Sequence, residues 1–453
     1  MAAPLTGGPT VLGLAADLAA GRTTSRALVD EALARIADPA GEGARTFTRV
    51  YADQARAAAE AQDRLRRAGY VASPLAGLPV SIKDLFDVAG EVTLAGSTAL
   101  DDRPPATDDA PIVARLKAAG AVIVGKTNMT EFAFSGVGIN PHHGTPGNPF
   151  DRSLVPGGSS AGAPVSVADA QAVVAIGTDT GGSVRIPAAL CGVVGFKPTA
   201  KRISRDGATP LSTTLDSIGP LANSIACCAI TDAVMAGDEP TAPAAASVVG
   251  LRLAVPQTFV LDDLAPEVAS AFAAACTTLS RAGSHIVDLP LEEFADYPRI
   301  SDRGNLVNSE AFAWHEELLA RRGNEYDPRV RSRIEFGRTV SAAGYIRICA
   351  ARQEFIARVA ARTEGFDALL LPTVAITAPP VSAFADDREY FRLNGLILRN
   401  TAVINFLDRC AATLPIQPPG AAPVGLMIVG DHGGDRRLLA VARGIETALA
   451  AQR

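Results

Sequence analysis

Residues 156–162 read PGGSSAG, two adjacent serines, Ser159 and Ser160, set among glycine and alanine. Paired glycines free the backbone for conformations that a Cβ forbids, and both turns and active sites use that freedom. The fold turns on which serine reacts and on what precedes it. GSSAG (158–162) matches G-x-S-x-G with Ser160 at its centre, a pattern that needs a strand directly before the serine. The preceding NPFDRSLVPG (148–157) holds Pro149 and Pro156 and shows no strand pattern. Residues 140–162 are rich in Gly, Pro, Asn and Ser and predict a loop.

Outward from this loop, residues 163–176 predict a helix, with Pro164 tolerable in its first turn. Upstream, LPVSIKDLFDV (78–88) predicts a strand, PIVARLKAAG (111–120) a helix and AVIVGK (121–126) a short buried strand. Strand, helix, strand is the unit of a sheet covered by helices. Sheet texture returns at FDALLLPTVAI (366–376) and APVGLMIVG (422–430), before a final helix at RRLLAVARGIETALAA (436–451). TTSRALVDEALARI (23–36) offers Thr24 or Ser25 as an N-cap and an apolar face of Leu28, Ala32, Leu33 and Ile36. The expectation is one α/β domain over residues 1–453, its sheet assembled from distant segments. A helical N-terminal segment spans about 1–70, and a helical region over about 240–360 carries no motif.

Composition narrows the function classes. Hydrophobic residues make up 48% and charged residues 20%, enough for a sizeable core. The net charge of −6, with basic residues scattered, provides no stripe for nucleic acid. No apolar run approaches the ~20 residues of a membrane span, and the N-terminus has no basic leader. Six cysteines without CxxC or framework spacing read as reduced, in a cytoplasmic protein. The five histidines include no HExxH, and His142 and His143 sit in a loop rather than a metal site.

A second small-residue loop lies in GTDTGGSVRIPAAL (177–190). The N–H groups of Thr180, Gly181, Gly182 and Ser183 can turn toward one point, the anion nest that acyl transfer needs, with Ser183 as the natural nucleophile. A serine hydroxyl needs a base. His432, in VGDHGGD, follows Ser160 in the chain order of an α/β-hydrolase, though a solvated loop histidine explains it as well. Lys83, amid Val80, Ile82, Leu85 and Phe86, is the other candidate. Burial there is costly for a cation and would lower its pKa toward that of a working base, unless Asp84 or Asp87 pairs with it.

LPVSIKD, PGGSS and GTDTGGSVRIPAALCGVVGFKPT, in this order, closely resemble the amidase signature family. AAGAVIVGKTNMTEFA, GPLANS and APVGLMIVG extend the likeness over most of the chain. The resemblance implies a single large domain with a central mixed sheet covered by helices, and a Ser–Ser–Lys amide hydrolase without metal or cofactor. It implies Ser183 as nucleophile, Ser159 as the bridging serine after a cis peptide from Gly158, and Lys83 as base. Thr180, Gly181, Gly182 and Ser183 would form the oxyanion hole, with Ser160, Asp179 and Arg185 in support. The chain departs from the family's usual GGSSGGSAA by Ala161, Ala163 and Pro164.

By family position TEFAFSGVG (130–138) would line the substrate, with Phe132, Phe134 and Gly136 as contacts, and Asn405 in NTAVINFLDRC (400–410) on a second wall. The partner expected is a small-molecule amide, with esters, anilides or carbamates as side substrates; nucleic acid and membrane are excluded, and a homodimer is compatible. Two alternatives stand beside this one: a glutamine-hydrolysing A-type component of a tRNA amidotransferase, and a Ser-His-Asp hydrolase using Ser160 and His432.

Overall fold

Among the residues described by the computed structural model, 6–301 and 306–451, eleven strands join in one sheet. They are β1 (Phe47–Val50), β2 (Pro79–Lys83), β3 (Val122–Thr127), β4 (Val174–Asp179), β5 (Val194–Lys197) and β6 (Ser217–Ala222). The remainder are β7 (Arg252–Pro256), β8 (His285–Leu289), β9 (Ala368–Pro372), β10 (Ala411–Pro415) and β11 (Gly425–Val429). Their order is β1-β3-β2-β4-β6-β5-β10-β11-β9-β7-β8. The sheet is mixed: β2 lies parallel to β3 and β4, and β7 parallel to β8 and β9, while the other pairs are antiparallel. The central strands β2 to β6 and β9 to β11 are buried along their length, as strands covered on both faces must be.

Distant segments do build this one sheet, and strands form at PVSIK, VIVGKT, ALLLP and GLMIV, where β-branched and leucine-rich runs predict them. Thr24 caps the helix Ser25–Ala37 by accepting from Ala27 N–H. Three expectations are corrected. β2 ends at Lys83, so Leu85 lies beyond the strand in a turn. The helix expected over 163–176 runs only from Gly162 to Ala168. A turn with Ala170 at φ 51° then feeds β4. The middle region also contains two strands, β7 and β8, at the sheet's far edge. Residues 1–5 of the N-terminal segment and 302–305 of the middle region lie outside the described residues. No helix among the described residues is long and apolar enough to cross a membrane.

Because β2 and β4 run parallel with Ile82 opposite Ile176, their carboxyl ends emerge side by side. Lys83 ends one strand, and Thr178 and Asp179 end the other. In sheets of this kind ligand sites form beyond the carboxyl ends of parallel strands.

Candidate active site

Lys83 is fully buried at the end of β2. Its Nζ donates to Ser159 Oγ at 2.8 Å and to Thr178 Oγ1 at 2.8 Å. Asp84 does not neutralise it. That carboxylate turns to Gly96 N–H and lies 3.9 Å from Lys126 Nζ, while Asp87 accepts from Thr93. Burial lowers Lys83 from 10.5 to about 7, against the upward pull of Asp216 and Asp179. As a neutral amine, Lys83 can turn its lone pair to the Ser159 hydroxyl while an N–H meets Thr178.

The PGGSSAG loop brings Ser159 to the lysine. The peptide between Gly158 and Ser159 is cis. Gly158 N–H donates to Gly136 O at 2.8 Å, and Ser159 O accepts from Thr130 N–H at 2.9 Å. Ser160 N–H donates to Ser183 O at 3.3 Å, tying this loop to the one that carries Ser183. Ser160 Oγ donates to Thr178 O at 3.4 Å, over a Gly177 whose Cβ would strike it.

Asp179 organises the loop that carries Ser183. Its carboxylate accepts from Gly182 N–H at 2.9 Å and Val184 N–H at 3.2 Å. Arg185 Nη2 donates to it at 2.9 Å and Asn405 Nδ2 at 2.8 Å. Burial pushes Asp179 up, but the Arg185 guanidinium, aided by Lys197 and the amide of Asn405, holds it at about 2. Gly182 stands at φ +132°, and a Cβ there would collide with Thr401 and Ile186, so this turn requires glycine.

Those bonds correct one expectation: Gly182 N–H is committed to Asp179 and is not offered to an oxyanion. Among the described residues the N–H groups of Thr180, Gly181 and Ser183 have no acceptor, and neither has Ser183 Oγ a hydrogen-bonded partner. Thr180, Gly181 and Ser183 line a cavity of about 430 Å³ with Phe134, Leu398 and Arg333. A second cavity, of about 450 Å³, borders Thr178, Thr180 and Asp216.

The candidate substrate contacts divide. Phe134 lines the first cavity. Phe132 does not; it is buried against Trp314, His315 and Tyr326. Gly136 serves through its backbone, accepting from Gly158 N–H and donating to Asn394 Oδ1 at 2.9 Å. Asn405 is buried behind the Ser183 loop, bonded to Asp179 and Arg185, and does not line the cavity. Thr178 and Asp216 escaped the sequence analysis. Asp216 accepts from Thr180 Oγ1 and from the N–H groups of Leu211 and Ser212, and burial raises its pKa.

The Ser160 and His432 pairing does not form. Ser160 is buried on Thr178, whereas His432 is exposed and its Nδ1 lies 2.9 Å from Asp408 O. His432→Ala is expected to leave amide turnover within ~2-fold of wild type, the range of an ordinary surface substitution, as an initial-rate assay would show. His142 lies 2.8 Å from Glu131 Oε1, and the described residues contain no cluster of metal-ligating type.

The chain is similar to known proteins over most of its length. A family model described as Amidase matches residues 27–439. The 2-amino-5-chloromuconic acid deaminase of Comamonas testosteroni is 39% identical, covering 87% of each chain. AtzE of Pseudomonas sp. (strain ADP), a component of 1-carboxybiuret hydrolase, is 36% identical over 83% of each. The A component of the glutamyl-tRNA(Gln) amidotransferase of Roseiflexus sp. (strain RS-1) is 34% identical over 93% of this chain and 92% of its own. The crystal structure of an amidase superposes with a TM-score of 0.88 at 34% identity, covering 97% of this chain and 99% of that one.

Proposed function

The chain belongs to the amidase family, and from that premise we propose that it hydrolyses a carboxylic amide through an acyl-enzyme on Ser183. The observation that carries the mechanism is the buried Lys83 Nζ, 2.8 Å from Ser159 Oγ, beside a loop whose Thr180, Gly181 and Ser183 line the cavity with N–H groups that meet no acceptor among the described residues. Neutral Lys83 takes the Ser159 proton as Ser159 takes that of Ser183. Ser183 Oγ attacks the carbonyl, and the N–H groups of Thr180, Gly181 and Ser183 receive the oxyanion. The proton returns through Ser159 to the leaving nitrogen, the C–N bond breaks, and water activated along the same route hydrolyses the ester. Asp179, Arg185, Asn405 and Ser160 hold the two loops, and Thr178 fixes the amine. The same chemistry extends to anilides, esters and carbamates.

This route needs uncharged Lys83. kcat/KM is expected to rise with pH through about 7 and level off above it, because protonation at lower pH removes the base. A pH–rate profile on a simple amide tests this; a rate flat from pH ~5 to ~9 would remove Lys83 from the role. Two relatives are named for an acid or a carboxy compound. The amidotransferase components among the relatives support a second reading, ammonia release from glutamine for a partner. Turnover of simple amides by the isolated chain decides between them. Six cysteines without a disulfide support a place in a reducing compartment such as the cytoplasm.

A further inference from the structure

The cavity over Ser183 is lined by two arginines and, among the described residues, by no carboxylate. Arg333 comes from the helix Pro328–Phe336 and Arg399 from the helix Asp387–Phe406. The Arg333 guanidinium lies 4.2 Å from the centre of the Phe134 ring and donates to Phe134 O. Arg399 Nε donates to Asn400 Oδ1 at 3.0 Å. Asn400 spends its own N–H groups on Val260 O at 2.9 Å and Pro372 O at 2.8 Å, which fixes its oxygen toward the arginine. Arg399 Nη2 is buried with no hydrogen-bond partner.

Both cations are thus oriented by neutral groups. Arg185 and Arg202 by contrast meet carboxylates directly, on Asp179 and Asp232, while Arg352, which bonds Phe406 O and also leaves its Nη2 unmet, does not line this cavity. Asp262 and Asp263 act on Arg399 from a distance but form no ion pair with it. A half-buried guanidinium with N–H groups unmet is costly until an acceptor arrives, and its planar fork matches a carboxylate.

We propose that the acyl part of the substrate carries a carboxylate, held by Arg333 and Arg399 while Ser183 attacks the amide carbonyl. This rests on the hydrolase assignment above. Phe134, Phe259, Leu211, Leu215 and Leu398 supply an apolar wall for the carbon chain between the two groups. The acyl side is indicated because the leaving nitrogen takes its proton from Ser159. Ser159 lies on the side of Lys83 and Thr178, and Thr178 borders the other cavity.

The test compares the monoamides of succinic, glutaric and adipic acids with the neutral amides of butyric, valeric and hexanoic acids, by ammonia release. Wild type is expected to favour the matched acid amide by at least ~10-fold in kcat/KM, mostly through KM, and Arg333→Gln and Arg399→Gln each to cut that ratio by ~10-fold. Neutral amides turned over equally well or better, in a Ser183-dependent reaction, would overturn the carboxylate proposal and leave the hydrolase standing. Should no amide be turned over, the hydrolase assignment fails, and calorimetric titration of glutarate into Ser183→Ala protein decides the site. Binding that weakens ~10-fold in both arginine variants upholds it. Absent binding, or binding indifferent to both, overturns it.

Discussion

Ser183→Ala is expected to lower amide-hydrolysis kcat by on the order of 10⁴-fold or more while leaving the melting temperature nearly unchanged. The two halves of this result have one structural cause. Ser183 Oγ faces the cavity and has no hydrogen-bonded partner among the described residues, so its loss strands no buried group. The loop around it is held through Asp179, Gly182 and Arg185, none of which the substitution touches. Turnover measured by ammonia release, beside a thermal melt, checks both. Retention of more than a tenth of wild-type kcat would move the nucleophile elsewhere, with Ser159 the first alternative.

Lys83→Met is expected to cost on the order of 10³-fold in kcat/KM and to abolish the rise of rate with pH through about 7. It also carries a stability signature. Lys83 in the folded protein loses its proton near 7, whereas the unfolded chain keeps it to about 10.5. Between those values the unfolded state binds more protons, so wild-type stability rises with pH across the window. Below about 7 both states are protonated, and the burial cost of the charge is felt in full. The methionine variant lacks this term. The stability of wild type relative to the variant should therefore grow from pH ~7 to ~10 in denaturant titrations. An unchanged difference across that range would mean that Lys83 titrates normally.

Much of the sheet was legible because its inner strands are short runs of branched and aliphatic residues, and tertiary context agrees with local preference there. β8 was not, since HIVDL is a partly exposed edge segment, and β7 was not, since RLAVP is a five-residue run that opens on Arg252 inside a helix-rich region. The helix after PGGSSAG was drawn too long because VADAQAVVA continues its apolar texture, while the turn at Ala170 depends on a backbone conformation that composition does not signal. In the site, Lys83 and the two glycine loops stand out by residue type. Thr178 becomes a partner of Lys83 only through the parallel register of β2 and β4, which no spacing along the chain reveals. Phe132 and Phe134 have the same chemistry and differ only in what distant helices bring to them: Trp314 and His315 to one, Arg333 to the other. That Gly182 spends its N–H on Asp179 follows from the loop's path rather than its composition.

The helix Asp387–Phe406 does two jobs with two sets of positions. Asn394, Thr401 and Asn405 grip the loops around the site through Gly136, Gly181 and Asp179. Gly395, Leu398 and Ala402 look into the cavity. On a helix these sets form neighbouring stripes, roughly 70° apart. A lineage can therefore repaint the second stripe, and with it the cavity wall, while the anchoring stripe keeps the Ser183 loop where it was; a change in what the cavity accepts and the upkeep of the loop are separable mutations on a single rod.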